Sequence, residues 1–321
     1  MNDPLPRDKT WLNGLLFVLT VLTTCFAGLF WSANFLFFES GAATGSDPVA
    51  EAGRALSDPR FFPLSALYAA ALMIILLGHE LGHYLTCRRY DVLATPPYFL
   101  PGPPFLGTFG AFIRIKSPIY FKRQLFDIGA NGPLAGFFLA FPALAVGLAF
   151  SRVATVIPAG DSWSFGEPLL FKLLSSFFFG RISEGAALVL HPVGWAGWVG
   201  ILVTSFNLIP FGQLDGGHIA YALLGRKARL VSKGVVAIFV VMGVFFWVGW
   251  FLWAAVILFF EFKSKLRLRH PPVLDEDAPL GPKRLFLSVL VVVIFIVSFI
   301  PDPVKGYDLL SLFKGLAGGG R

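Results

Sequence analysis

Residues 64–83 read Leu64-Ser-Ala-Leu-Tyr-Ala-Ala-Ala-Leu-Met-Ile-Ile-Leu-Leu-Gly78-His79-Glu80-Leu81-Gly82-His83. Leu64 to Leu77 carries no charge, and the run closes on two imidazoles and a carboxylate. So long an apolar stretch predicts a membrane helix. On a helix, positions four apart differ by one turn plus about 40°, so His79 and His83 project from one face and can share one metal ion. Glu80 follows the first imidazole, within reach of a water at such an ion. The alternative is a pair of interior histidines bonded to backbone. A carboxylate beside two imidazoles at this depth is costly unless liganded or partnered, which favours the metal.

The composition agrees. Of 321 residues, 56% are hydrophobic and 14% charged, with a mean hydropathy of +0.72. A soluble globular chain of this size does not need so much apolar surface. The net charge of +7 is read through the positive-inside rule. No soluble basic segment interleaved with aromatics exists to bind nucleic acid. Cys25 and Cys87 lie in or beside different apolar runs and imply no disulfide framework.

Trp11 to Phe38 reads as a first span. It is longer than the 7–15-residue core of a signal peptide, the rival reading. The acidic balance of residues 39–60 suits the non-cytoplasmic side. Phe61 to Thr86 is the second span and ends at Arg88-Arg89, which suits the cytoplasmic side. Asp127 to Phe150 is the third; Gly129, Gly132 and Gly136 let another helix approach closely, and Asn131 reads as interhelical glue. Leu169 to Phe179 reads as a short amphipathic helix on the outer surface. Ala186 to Pro210 is the fourth span. It runs into Asn207-Leu-Ile-Pro210-Phe-Gly-Gln-Leu-Asp215-Gly-Gly-His218, where Pro210 and the glycines end or unwind it. Arg226, Lys227, Arg229 and Lys233 are again cytoplasmic. Gly234 to Phe262 either crosses once or turns back. Leu285 to Ile300 is a short last span, and the Gly-rich end is frayed.

The expected fold is therefore an all-α polytopic membrane protein. It has about six transmembrane helices and a small membrane-associated β-hairpin or strand after the second. Residues 1–60 form a first helix and outer loop, 61–233 a catalytic membrane core, and 234–321 C-terminal hydrophobic helices and tail. The expected location is a bacterial inner membrane, with the site toward the cytoplasm.

The strand follows from residues 94–118. Five prolines between Ala94 and Phe105 exclude a helix. Thr108 to Lys116 then alternates loosely and is rich in Phe and Ile. An apolar loop here would dip into the membrane against protein, since lipid-exposed irregular backbone is not tolerated. It could plug the space beneath the helices. It could also present an edge to an extended peptide, with Phe109, Ala111 and Ile113 as substrate-binding candidates.

A hydrolytic zinc site wants three protein ligands and one open position. Beyond His79 and His83, the acids near the spans are Glu39, Asp127, Asp215 and Glu261. Glu39 and Glu261 sit at span ends, as solvated charges do. Asp127 begins a helix, where an acid suits the dipole. Asp215 lies inside a Gly-rich break at a span's cytoplasmic end and is the choice for third ligand. His218, three residues on, is polar filler or a partner to it. His191 and His270 precede prolines and need no functional reading.

His79-Glu80-Leu81-Gly82-His83 together with Asn207-x-x-Pro210-x-x-x-Leu214-Asp215-Gly216-Gly217 resembles the site-2 protease family of intramembrane zinc metalloproteases. Phe105 to Lys116 and Gly132-Pro133-Leu-Ala-Gly136 are similar to its EGY-like branch. The resemblance covers roughly residues 61–233 and implies one zinc per chain on His79, His83 and Asp215. It implies Glu80 as the base that activates water and Asn207 as a catalytic residue holding substrate or oxyanion. The expected activity is regulated intramembrane proteolysis, with the lipid bilayer and transmembrane protein substrates as partners. Neither a PDZ-like insert between residues 83 and 207 nor a CBS-like domain after the core is expected. A catalytically silent scaffold or chaperone of this fold, or a metal transporter, is the alternative.

Overall fold

The computed structural model describes residues 10–39, 48–154, 165–183, 185–263, 273–305 and 307–311. The polar start, part of the outer loop at 40–47, the linker at 264–272 and the Gly-rich end lie outside them. The helices are α1 (Thr10–Glu39), α2 (Pro48–Ser57), α3 (Phe61–Arg89), α4 (Lys122–Ala149), α5 (Leu169–Phe179), α6 (Pro192–Asn207), α7 (Asp215–Leu224), α8 (Ala228–Phe245), α9 (Gly249–Lys263) and α10 (Pro282–Ser298). The strands are β1 (Tyr98–Pro101), β2 (Thr108–Phe112), β3 (Arg152–Ala154) and β4 (Ala187–Val189). They form two antiparallel pairs, β1–β2 and β3–β4.

Among the described residues, four helical segments are long and apolar enough to cross a membrane: 10–39, 61–89, 122–149 and 215–245. About six were expected. The apolar helices α6, α9 and α10, with 16, 15 and 17 residues, fall short of the about 20 that a perpendicular crossing takes. The expected fourth span is thus shortened: its first residues form β4 and pair with β3 instead.

The chain divides into two units. The first holds α1, α2, α3, both strand pairs, residues 134–149 of α4 and most of α6. Its helices cross on small residues: a Cβ on Gly147 would collide with the backbone of Gly194. Such close approach gives packing where lipid offers no hydrophobic drive. The β1–β2 hairpin runs along α1. Near the start of α1, Asn13 donates through Nδ2 to the carbonyls of Pro96 and Pro97, both at 3.0 Å. Near its end, Trp31 Nε1 donates to Phe105 O at 2.8 Å. Tyr68 of α3 donates to Leu106 O at 2.9 Å, and Thr23 to Gly107 O at 2.6 Å. From Asn13 to Trp31 a helix rises about 27 Å, so the hairpin follows most of a span. Its irregular tip is tolerated because three side chains satisfy its carbonyls.

The second unit holds residues 122–133 of α4, most of α5, and the described residues from Thr204 onward. Its core gathers Ile209, Phe211, Val235, Phe239, Met242, Trp250, Ala254 and Ile257. The run from Gly234 to Phe262 turns back: α8 and α9 form a hairpin about Phe246–Val248. Trp250, fully buried, anchors that turn by donating Nε1 to Pro301 O at 2.7 Å. α4 begins at Lys122, five residues before the expected Asp127. Its first amide is capped from a distance, Lys122 N donating to Asp275 Oδ1 at 2.7 Å. Asp127 lies over a turn into α4 and makes a two-pronged pair with Arg284 at 2.8 and 2.7 Å.

Candidate metal centre

In the first unit, α3 carries His79, Glu80 and His83 toward its C-terminal end, exposed by only 3%, 3% and 6%. The two imidazoles face each other with Nε2 atoms 3.2 Å apart. Two nitrogens held at about 2.05 Å by one tetrahedral ion would be about 3.3 Å apart. The pair therefore has the spacing of two ligands on one ion. Helical geometry turns Glu80 about 100° from His79 and about 60° from His83, on the same side of the helix. Room for the His79 ring comes from α4: a Cβ on Gly136 would stand 2.9 Å from His79 Nδ1 and 3.2 Å from its Cβ.

In the second unit, α6 ends at Asn207, and residues 208–214 turn back so that α7 starts on Asp215. An acid in a first turn suits the positive end of the helix dipole. The two glycines after Asp215 are required sterically: a Cβ on Gly216 would strike the carbonyl of Leu208, and one on Gly217 that of Gly212. α4 also supports this start. A Cβ on Gly129 would stand 2.9 Å from His218 Cβ and 3.2 Å from Asp215 O. His218 donates its backbone N–H to Leu214 O at 3.0 Å, closing the first turn. Asn207 and Asp215 are both half-buried.

The expected strand is present as one arm of a hairpin. Tyr98 pairs with Phe112, Phe99 with Ala111 and Leu100 with Gly110, and the register breaks between Leu100 and Pro101. Phe109 falls at that irregularity and is 72% exposed. Gly110 takes φ +104°, a conformation that favours glycine. Ile113 lies one residue past β2, so the three substrate candidates do not share one strand. Pairing resumes beyond it, with Thr95 N donating to Arg114 O at 3.0 Å and a bridge from Ala94 to Ile115. Among the described residues no third strand pairs with β2.

Residues 67–250 match the family described as peptidase family M50. The chain belongs to that family. It is 33% identical over 230 residues to a protein of Arabidopsis thaliana named probable zinc metalloprotease EGY2, chloroplastic, covering 70% of this chain and 41% of that one. It is 36% identical over 229 residues to the rice protein (Oryza sativa subsp. japonica) named probable zinc metalloprotease EGY1, chloroplastic, covering 67% of this chain and 38% of that one. The chain thus spans about two-fifths of the length of these relatives. No solved structure matches it. The apolar helices support a membrane location. The relatives' names are chloroplastic, and nothing supports the bacterial inner membrane expected from the sequence.

Proposed function

We propose that this chain is a zinc metalloprotease that cleaves peptide bonds in or beside the transmembrane segments of other proteins. The observation that carries the reading is the buried imidazole pair, 3.2 Å between Nε2 atoms, with Glu80 adjoining it on an apolar helix. His79, His83 and Asp215 supply two imidazole nitrogens and a carboxylate oxygen, a donor set among the described residues that suits one zinc ion per chain. Zinc, when bound, would supply Lewis acidity that activates water at neutral pH. Glu80 would take the proton from the attacking water and pass it to the leaving amine. The side-chain amide of Asn207 would donate to the developing oxyanion, a contribution of about 3 kcal/mol for one such donor.

A helical substrate shields its carbonyls with its own hydrogen bonds and must unwind locally. The open edge of β2 offers main-chain donors and acceptors to the unwound stretch, with Phe109 and Ala111 beside it. The catalytic core would be residues 61–233, with the motif end of α3, marked by Arg88 and Arg89, on the positive-inside face. The α8–α9 hairpin favours seven crossings over six, with α6, α9 and α10 as short spans.

Co-expression with single-span membrane proteins tests this, comparing wild type with Glu80→Gln. The variant should keep its metal, lose cleavage and retain bound substrate. Cleavage surviving in Glu80→Gln would remove the proteolytic reading. Metal movement across vesicles without cleavage by wild type would point to a transporter.

A further inference from the structure

Helix α7 is a ten-residue rod with a break at each end. Residues 208–214 turn at its front, and Gly225, with φ +56°, breaks it from α8 at its rear. Asp215 is its first residue. The rear break lies ten residues away, about 15 Å along the axis. A pivot there of only about 2° would displace Asp215 by about 0.5 Å, the tolerance within which ligands must be held. Something must therefore fix the rear of α7 if Asp215 is to ligate.

The segment 273–280, between α9 and α10, supplies it. Glu276 accepts through Oε1 from the Tyr221 hydroxyl at 3.2 Å and through Oε2 from Arg226 Nε at 3.2 Å. Those two residues flank the break. A Cβ on Gly225 would stand 3.4 Å from Glu276 Oε1, so the carboxylate lies directly over it. The same residue is tied to α4: Lys122 Nζ donates to the carbonyls of Glu276 at 2.9 Å and Ala278 at 3.2 Å. Asp275 caps Lys122 N, and Leu274 N donates to Tyr120 O at 2.8 Å. α4 meets the front of α7 at Gly129 and, through Glu276, its rear. The first turns of α4 and this clasp thus bracket α7 at both ends.

We propose that Glu276 is a positioning residue for metal binding, holding the rear of α7 so that Asp215 is fixed at its front. The proposal rests on the reading of Asp215 as a ligand. Arg226 is 89% exposed along its side chain, so water screens that pair. The Tyr221 and Lys122 contacts carry most of the hold.

The test uses the full chain in detergent, with Glu276→Gln, Tyr221→Phe and Asp215→Ala. Two quantities are read: the rate of zinc loss to a chelator, and the visible absorption of the cobalt(II)-loaded protein. Glu276→Gln and Tyr221→Phe should lose zinc about tenfold faster, the low end for groups that orient ligands. Both should shift the cobalt bands, which report ligand geometry and would not move if Glu276 only stabilised the fold. Tyr221→Phe removes one hydroxyl and keeps the ring, so it serves if Glu276→Gln folds poorly. If Asp215→Ala loses metal while both clasp variants match wild type in rate and spectrum, the clasp is overturned and the ligand reading stands. If Asp215→Ala holds metal with the wild-type spectrum, the ligand reading falls and the role of Glu276 falls with it.

Discussion

Replacing Gly136 by alanine should weaken metal binding while costing the fold at most about 2 kcal/mol. A Cβ there would stand 2.9 Å from His79 Nδ1 and 3.2 Å from His79 Cβ, where ordinary contacts begin at 3.4 Å. The ring must retreat by the difference, about 0.5 Å, and the close Cβ means that rotating the ring alone does not relieve it. A displacement of that size is the limit for a ligand constellation. Zinc affinity should fall about 10- to 100-fold, or about 1.4 to 2.7 kcal/mol. Overpacking costs about 1–3 kcal/mol, but alanine in a helix interior regains about 1 kcal/mol over glycine. The apo protein should therefore lose between nothing and about 2 kcal/mol of stability. The control is Gly234→Ala in α8, where nothing lies within 4 Å of the added carbon; it should gain stability and leave zinc binding alone. Chelator competition and thermal unfolding on the same preparations give both quantities. A Gly136→Ala protein that holds zinc as tightly as wild type would refute the argument that this glycine makes room for His79.

Two further outcomes follow from other parts of the molecule. Trp31→Phe removes the donor to Phe105 O and alters the stack on Trp195, whose ring lies 3.9 Å away. Losing one hydrogen bond at the tip costs about 0.5–1.5 kcal/mol, so the hairpin tip should exchange its amide hydrogens faster, Gly107 N among them; unchanged protection there would show the tip is held otherwise. Asp302 lies beyond α10, with Oδ1 buried and unbonded, and burial pushes its carboxyl above the ordinary 3.8, with Asp308 adding to the rise and Lys305 opposing it. A raised carboxyl contributes stability below its unfolded value and loses it as pH climbs through the folded one. Asp302→Asn should accordingly be more stable than wild type near neutrality and lose that advantage below about pH 4; an advantage independent of pH would contradict this.

The pairing of the two imidazoles could be read from the chain because it is local. The charge-free run before His79 and the four-residue spacing to His83 need only helical geometry to bring the imidazoles together. Five prolines and the alternation after Thr108 likewise marked the irregular arm, and the short helix at Leu169–Phe179 was legible from its amphipathic pattern. What was missed depends on distant partners. The start of α4 was placed at Asp127, because nothing near Lys122 announces a cap that arrives from Asp275, 153 residues later. The role of Asp127 was misread for the same reason, its partner being Arg284. The run from Gly234 to Phe262 is uniformly apolar. Its reversal is fixed by Trp250 bonding to Pro301, which no periodicity reveals. The β3–β4 pair joins segments that look like loop, since three-residue strands carry too little pattern to detect.

The most direct measurement is the zinc content of the purified chain, wild type beside Asp215→Ala, after equal dialysis against a weak chelator. About one zinc per chain in wild type, with its loss in Asp215→Ala, is the predicted result. A variant that still holds a full equivalent as firmly as wild type would contradict the claim that His79, His83 and Asp215 share one ion.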